Sequence, residues 1–324
     1  MKMQYLDHWQ VAEALNYPQL IEGLRAAFRE QQIQVPPRHH HHYTYSRRRD
    51  GENTLLLMPA WEADGYLGVK TVVVAPDNID EPSIQGQYAL YEAATGTPRI
   101  IMDAAALTAR RTAAASALAA DYLAPADART LLMVGTGTLA PQLIHAHTSV
   151  RPIERILIWG RDHGKAQALA QSLQCEAYAT EACTDLEKSV HRADIVSCAT
   201  LSKTPLLHGD WLRPDQHIDL VGAYRPDMRE ADDTLIKRVA LYADALPQAL
   251  AETGDLAIPI ASGQLNPESV RGDLPSLCRN PAPLPRAQDS ITCFKSVGHA
   301  LEDLVAARLV YDRHRHSMAA SGPD

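Results

Sequence analysis

At 324 residues the chain exceeds the usual size of one domain and is long enough for two, each burying its own core. A formal net charge of −8 excludes the broad positive field that general nucleic-acid or anionic-membrane binding requires. The five cysteines, Cys175, Cys183, Cys198, Cys278 and Cys293, lie far apart with no C-x-x-C pair, which speaks against both a zinc site and a disulfide framework.

The opening MKMQYLDHWQVAEAL has no continuous apolar region and no small-residue cleavage site, and no later segment approaches a bilayer-spanning run. A cytoplasmic protein without membrane contact is expected. Residues 8–30 read as one amphipathic helix, with Val11, Leu15, Leu20, Leu24 and Phe28 at helical spacing, stopped by Pro36 and Pro37. From Arg38 to about Val74 the short runs HHYTYS, TLLLMP and LGVKTVVV alternate with polar turns, the pattern of an antiparallel sheet. The Ala-rich stretch Leu107 to Leu123 has no Gly or Pro and predicts a long helix. At Arg129 the pattern changes: RTLLMV is an apolar strand, GTGTLA a glycine turn and PQLIHAHTSV a helix, the start of a βαβ unit. RILIW, ADIVSCAT and HIDLVGA continue as strands and KAQALAQSL as a helix, in the unbroken apolar style of a buried parallel sheet. The fold class is therefore α/β: a Rossmann-type doubly wound sheet at 123–290, and a discontinuous α+β substrate and dimerisation domain at 1–122 and 291–324, closed by a helix around VGHALEDLVAARLVY.

Gly135-Thr136-Gly137-Thr138-Leu139-Ala140 sits between a strand and a helix, the context that a G-x-G-x-x-G/A dinucleotide fingerprint requires. The first glycine permits the tight turn, and the second lets the backbone approach a pyrophosphate that the helix N-terminus attracts. After the next strand, RILIW, the chain carries Gly160-Arg161 where an NAD-specific protein places an acid for the ribose hydroxyls. Arg161 instead suits a 2′-phosphate, so NADPH is expected in preference to NADH, with NADH possible. No G-x-S-x-G elbow or GxxxxGK[ST] loop is present, which removes α/β-hydrolase and phosphate-loop NTPase readings.

Six segments in order, LGVKTVVVAPDN (67–78), TGTP (95–98), LTARRTAAASALAADYLA (107–124), MVGTGTLAPQLIHAH (133–147), ADIVSCAT (193–200) and FKSVGHALEDL (294–304), resemble the ornithine cyclodeaminase/mu-crystallin family over nearly the whole chain. VPPRHHHHY (35–43), LLLMPAW (55–61), PSIQG (82–86) and VGAYRPDMREADD (221–233) are most similar to its imine-reducing members. The resemblance implies a homodimer and the reduction of a small cyclic imino acid: Δ1-pyrroline-2-carboxylate to L-proline, with Δ1-piperideine-2-carboxylate to L-pipecolate as a second reaction. It places Lys70 and Arg38 at the catalytic centre, with Tyr224, His41 and Val297 around the substrate. Gln85, Arg111, Thr112, Gly135, Gly137, Thr138, Leu139, Arg161, Thr200, Val221, Gly222 and Ser296 are implied along the cofactor.

Chemistry gives these residues credible tasks. A guanidinium fork from Arg38 can hold a carboxylate in two parallel charge-assisted bonds. Lys70, on a strand between the apolar neighbours Val69 and Val72, contacts that carboxylate or gives a proton near the imine. Arg111 contacts cofactor phosphate or substrate, and Tyr224 bonds the substrate nitrogen or walls the pocket. Where the ornithine-deaminating members carry an Asp and a Glu, this chain has Tyr224 and Leu56, so deamination of a diamino acid is disfavoured. The His39–His42 run alternates across a strand, and two imidazoles on one face hold zinc poorly, so no metal is expected. Alanine dehydrogenase-like reductive amination and a non-catalytic NADPH- or ligand-binding protein are the competing readings.

Overall fold

The computed structural model describes residues 3–44, 52–246, 248–280, 287 and 289–320. By its internal contacts the chain forms two compact units, Met1–Arg111 with His299–Asp324, and Thr112–Gly298. The expected boundaries at 122/123 and 290/291 differ from this partition for identifiable reasons. The Ala-rich helix runs unbroken past 111/112, and a late strand at 292–295 belongs to the second sheet.

The first unit opens with β1 (Tyr5–Leu6), α1 (His8–Ala14) and α2 (Tyr17–Glu30). The single helix expected over 8–30 is thus two. Asn16 accepts from the Gln19 amide as an N-cap, and Pro18 follows in the first turn, where its missing N–H costs nothing. The expected apolar stripe is nonetheless buried in full: Val11, Leu15, Leu20, Leu24 and Phe28 all lie in the core. Strands β2 (His39–Thr44), β3 (Glu52–Trp61), β4 (Tyr66–Val74), β5 (Ile84–Glu92) and β6 (Pro98–Asp103) follow. The end of the predicted strand HHYTYS, Tyr45 and Ser46, lies outside the described residues. The sheet order is β1-β6-β5-β4-β3-β2, antiparallel except where β1 pairs with β6. Then comes α3 (Ala104–Leu123), three residues longer at its start than its sequence pattern indicated.

The second unit contains β7 (Thr130–Val134), α4 (Leu139–Thr148), β8 (Arg155–Trp159), α5 (His163–Ser172), β9 (Ala179–Cys183), α6 (Leu186–Arg192), β10 (Ile195–Cys198) and β11 (His217–Leu220). It continues through α7 (Asp233–Arg238), β12 (Ala240–Ala243), α8 (Gln248–Glu252), α9 (Gly254–Ala261), β13 (Gly272–Asp273), α10 (Leu274–Cys278) and β14 (Thr292–Lys295). Its eight strands are all parallel, in the order β13-β12-β14-β11-β10-β7-β8-β9. Leu132, Val134, Val196, Ile218 and Leu220 centre its core. The chain winds outward from β7 in both directions, through β8 and β9 on one side and β10 and β11 on the other. That reversal makes the carboxyl ends of β7 and β10 the topological switch point, where doubly wound sheets open a ligand crevice. The last helix, α11 (Ala300–Ala320), belongs to the first unit. Among the described residues no helix is long and apolar enough to cross a membrane.

Candidate active site

In the first unit the period of two along β4 turns Gly68 and Lys70 to the buried face, while Val69 and Thr71 on the opposite face are half-buried. Lys70 is only 2% exposed. Its Nζ lies 2.9 Å from Oδ1 and 2.8 Å from Oδ2 of Asp303 on α11, and donates over 3.4 Å to Thr108 Oγ1 on α3. One helical turn on from Thr108, Arg111 sends Nη1 to Glu302 Oε2 at 2.6 Å and Nε to within 2.9 Å of Asp303 Oδ1. Arg38, half-buried just before β2, adds a third positive charge close enough to act on both Lys70 and Asp303.

Burial and the charge of Arg111 push the Lys70 ammonium down to about 8, with Asp303 opposing them and Arg38 adding to them. For Asp303, burial alone would favour the protonated acid. Arg111 and Lys70 overcome it and hold the carboxyl below its ordinary range. The result is a buried, charge-dense cluster on one sheet face. Tyr88, directly across from Lys70 on β5, completes it with a buried hydroxyl that has no hydrogen-bond partner among the described residues.

Two expected site residues fall elsewhere. In the register of β2 on β3, His41 opposes Leu55 and His40 opposes Leu56, while Met58 opposes Lys70 across β3 and β4. Alternation therefore puts His39 and His41 on the face away from Lys70, and His40 and His42 on the face that Lys70 shares. Sequence alone could not choose, because the register is set by pairing rather than by the histidine run. His39 and His41 stack on the outer face with ring centroids 6.2 Å apart. Gln85 opposes Val73, so it too lies on the face away from Lys70, exposed and donating to the Pro82 carbonyl. Among the described residues no group of three or more His, Cys, Asp or Glu side chains gathers as a metal site would require.

In the second unit the glycine turn lies at the switch point. Gly135 has φ of +119°, and a Cβ there would stand 2.5 Å from the Ala199 carbonyl at the end of β10, so only glycine fits. An added Cβ at Gly137 would meet nothing within 4 Å, leaving its backbone open to approach. Thr138 and Leu139 begin α4, whose N-terminus no Thr138 side-chain bond caps. Orphan amides and the positive helix end are what a pyrophosphate needs, so the turn fits a dinucleotide. At the tip of β8, Asp162 is committed to capping α5 through the Lys165 amide, and Arg161 is exposed with no carboxylate partner among the described residues.

The adjoining strand ends are tied together by buried carboxylates. Glu230 accepts from the amides of Thr200 at 2.6 Å and Gly222 at 2.8 Å, and from the Thr200 hydroxyl at 2.8 Å. A side chain at Gly222 would overlap the Thr200 backbone, so glycine lets these loops touch. Val221 is buried beside it, and its amide donates to the Cys198 carbonyl at 2.8 Å. Asp244 accepts from the amides of Val297 and Gly298, both at 2.6 Å, and from Ser296 Oγ at 3.3 Å. Burial raises Glu230 to about 6 against the nearby charge of Lys295, whose Nζ lies 3.1 Å from Asp255 Oδ2. Thr112 is buried within α3, and Tyr224, 37% exposed, stands on the loop after β11 with its amide on the Gly222 carbonyl. Glu302, Asp303, Tyr88, Glu230 and Asp244 were not singled out from sequence. The one available signal was the adjacent acidic pair inside the apolar run of HALEDLVAARLV.

The model of the ornithine cyclodeaminase/mu-crystallin family matches residues 2–318. A Δ1-pyrroline-2-carboxylate reductase of Paracoccus denitrificans is 38% identical over 95% of this chain and 96% of its own length. One of Colwellia psychrerythraea is 34% identical over 96% of this chain and 99% of its own. The structure of the Thermococcus litoralis Δ1-pyrroline-2-carboxylate reductase with NADH and L-proline superposes with a TM-score of 0.89 at 27% identity, covering 97% of this chain and 98% of that one.

Proposed function

Because the chain belongs to the ornithine cyclodeaminase/mu-crystallin family, we propose that it is an NAD(P)H-dependent imine reductase converting Δ1-pyrroline-2-carboxylate to L-proline, with Δ1-piperideine-2-carboxylate as a second substrate. The observation that carries this reading is the gathering of Arg38, Lys70 and Arg111 about the two buried carboxylates of Asp303 and Glu302, three cations to two anions, a charge-dense cluster suited to a small organic acid. The guanidinium of Arg38 holds the substrate carboxylate, and Lys70 contacts that carboxylate or supplies a proton at the ring nitrogen. Arg111 lies in the same cluster and orients Asp303 and Glu302, so its task belongs to substrate charge rather than to cofactor phosphate. Gly135, Gly137, Thr138 and Leu139 hold the pyrophosphate, and the loops bearing Thr200, Val221, Gly222 and Ser296 support the nicotinamide half. The bound dinucleotide supplies a hydride from nicotinamide C4 to C2 of the C=N bond.

The five- and six-membered rings differ by one methylene, which rarely discriminates by more than about 10–200-fold, so both fall within this reading. NADPH preference rests on Arg161, and a cytoplasmic homodimer is part of the same proposal. The test follows the loss of reduced-nicotinamide absorbance with purified protein and either cyclic imine. Pyruvate with ammonia and a no-substrate sample run beside it. Rapid oxidation with the cyclic imines alone supports the reading. Turnover only with pyruvate and ammonia, or tight dinucleotide binding with no turnover, would replace it.

A further inference from the structure

Asp303 is fully buried, and both its oxygens face Lys70, at 2.9 and 2.8 Å from Nζ. The same carboxylate lies 2.9 Å from Arg111 Nε. Adjacent positions on α11 divide the work: Glu302 takes the Nη1 end of the guanidinium and Asp303 takes the Nε edge that adjoins Lys70. Resting on the imine-reductase reading above, we propose that Asp303 is a positioning residue for the reaction: its shared carboxylate fixes Lys70 Nζ in place and keeps it in the ammonium form.

Opposed charges set the state of Lys70. The groups facing Lys70 are Arg38 from the segment before β2, Met58 on β3, Tyr88 on β5, Thr108 and Arg111 on α3, and Asp303 with Glu302 beyond it on α11. Burial, Arg111 and Arg38 all drive the proton off Lys70, and Asp303 opposes them. Whether Lys70 grips a carboxylate or protonates a nitrogen, the ammonium is its useful form. Activity should then fall as pH rises through the Lys70 transition near 8. An opposite charge at this range is worth about one to three pKa units, so neutralising Asp303 should move that fall about one unit or more toward acid.

The test reads Lys70 directly. Protein is labelled with 13Cε-lysine, the Lys70 signal is assigned by its loss in Lys70→Arg, and its shift is followed against pH in the wild type and in Asp303→Asn. A transition displaced by about one unit or more to lower pH, with the alkaline limb of kcat/KM for Δ1-pyrroline-2-carboxylate moving with it, is the expected result. An unmoved Lys70 transition, or a uniform loss of rate with no change in the pH profile, overturns the proposal. Arg111→Gln keeps the test alive if Asp303→Asn does not fold. With Arg111 gone, Arg38 is the remaining cation that competes for Asp303 among the described residues, and the transition should rise; a fixed or lowered one overturns the proposal. Because the resonance is read without turnover, absence of imine reduction in the wild type would count against the proposed function and not against the hold of Asp303 on Lys70.

Discussion

Arg161 stands exposed just after β8 while Asp162 caps α5, so among the described residues at that tip the arginine is the charge not committed to a cap. A 2′-phosphate would gain a charge-assisted hydrogen bond there, and these contribute about 1.5–3 kcal/mol. Arg161→Asp should therefore raise KM for NADPH by roughly 10-fold or more and leave KM for NADH within about threefold, measured as paired initial-rate series. Equal losses for both cofactors would show that the arginine serves only the turn. The same scale explains which site residues the sequence disclosed. Lys70 and Arg38 entered the candidate site through the family motifs that run through them, since a lone lysine on a strand otherwise reads as one snorkelling from the sheet. Asp303 did not, since an acid on a helix ordinarily faces water, and only folding brings α11 against the Lys70 face of β4. The sequence places His41 at the substrate, whereas the register gives that face to His40 and His42, because alternation fixes pairs of residues and leaves the choice between pairs to the neighbouring strand.

Elements at the switch point are held by buried carboxylates rather than by loop composition. Glu230 joins the loops after β10 and β11 through Thr200 and Gly222, and its own backbone is held by Asp255, which accepts from the Glu230 and Ala231 amides at 2.8 and 3.0 Å. Glu230→Gln keeps the volume but turns an amide toward groups that donate. We expect dinucleotide affinity to drop roughly tenfold, equivalent to about 1.4 kcal/mol, in a titration of nicotinamide fluorescence with the fold intact by circular dichroism. Unchanged affinity would mean that the loops keep their shape without that carboxylate. Element by element, legibility followed the strength of the period. The strands RTLLMV and RILIW and the Ala-rich helix are present where their patterns placed them. β5 escaped notice because Gln, Gly and Ala interrupt its alternation, β6 because PRIIMD offers only three apolar residues between charged ones, and β14 because its four residues, TCFK, carry a buried lysine. The break between α1 and α2 was written in Asn16 and Pro18 but hidden by an apolar stripe that continues across it.

For the whole molecule, the first sheet poses a problem that one chain leaves open. Its Lys70 face is buried, yet the register aligns Tyr5, Ile101, Ala89, Val69 and Pro59 in one apolar row across the other face of five strands. Tyr5 in that row is 53% exposed, and the other four are half-buried. Leu55, Leu57, Leu67 and Val73 extend the same face. Fully burying a Val or Leu side chain contributes about 1.5–3 kcal/mol, so leaving so many partly wet is costly, and a face that pairs with its own copy about a twofold axis removes the cost. The edge strand β2, exposed along its whole length, stands at the border of that face, where a second copy can also cover it. We expect light scattering after size exclusion to give twice the chain mass at micromolar concentration. Ile101→Glu places a carboxylate within the row, two strands from β4 and on the sheet face opposite Lys70, where burial without a partner costs several kcal/mol. It should yield a folded monomer that still binds dinucleotide through the second unit. A wild-type monomer, or a dimer that Ile101→Glu leaves untouched, would mean that subunits meet elsewhere and that this face is tolerated in water.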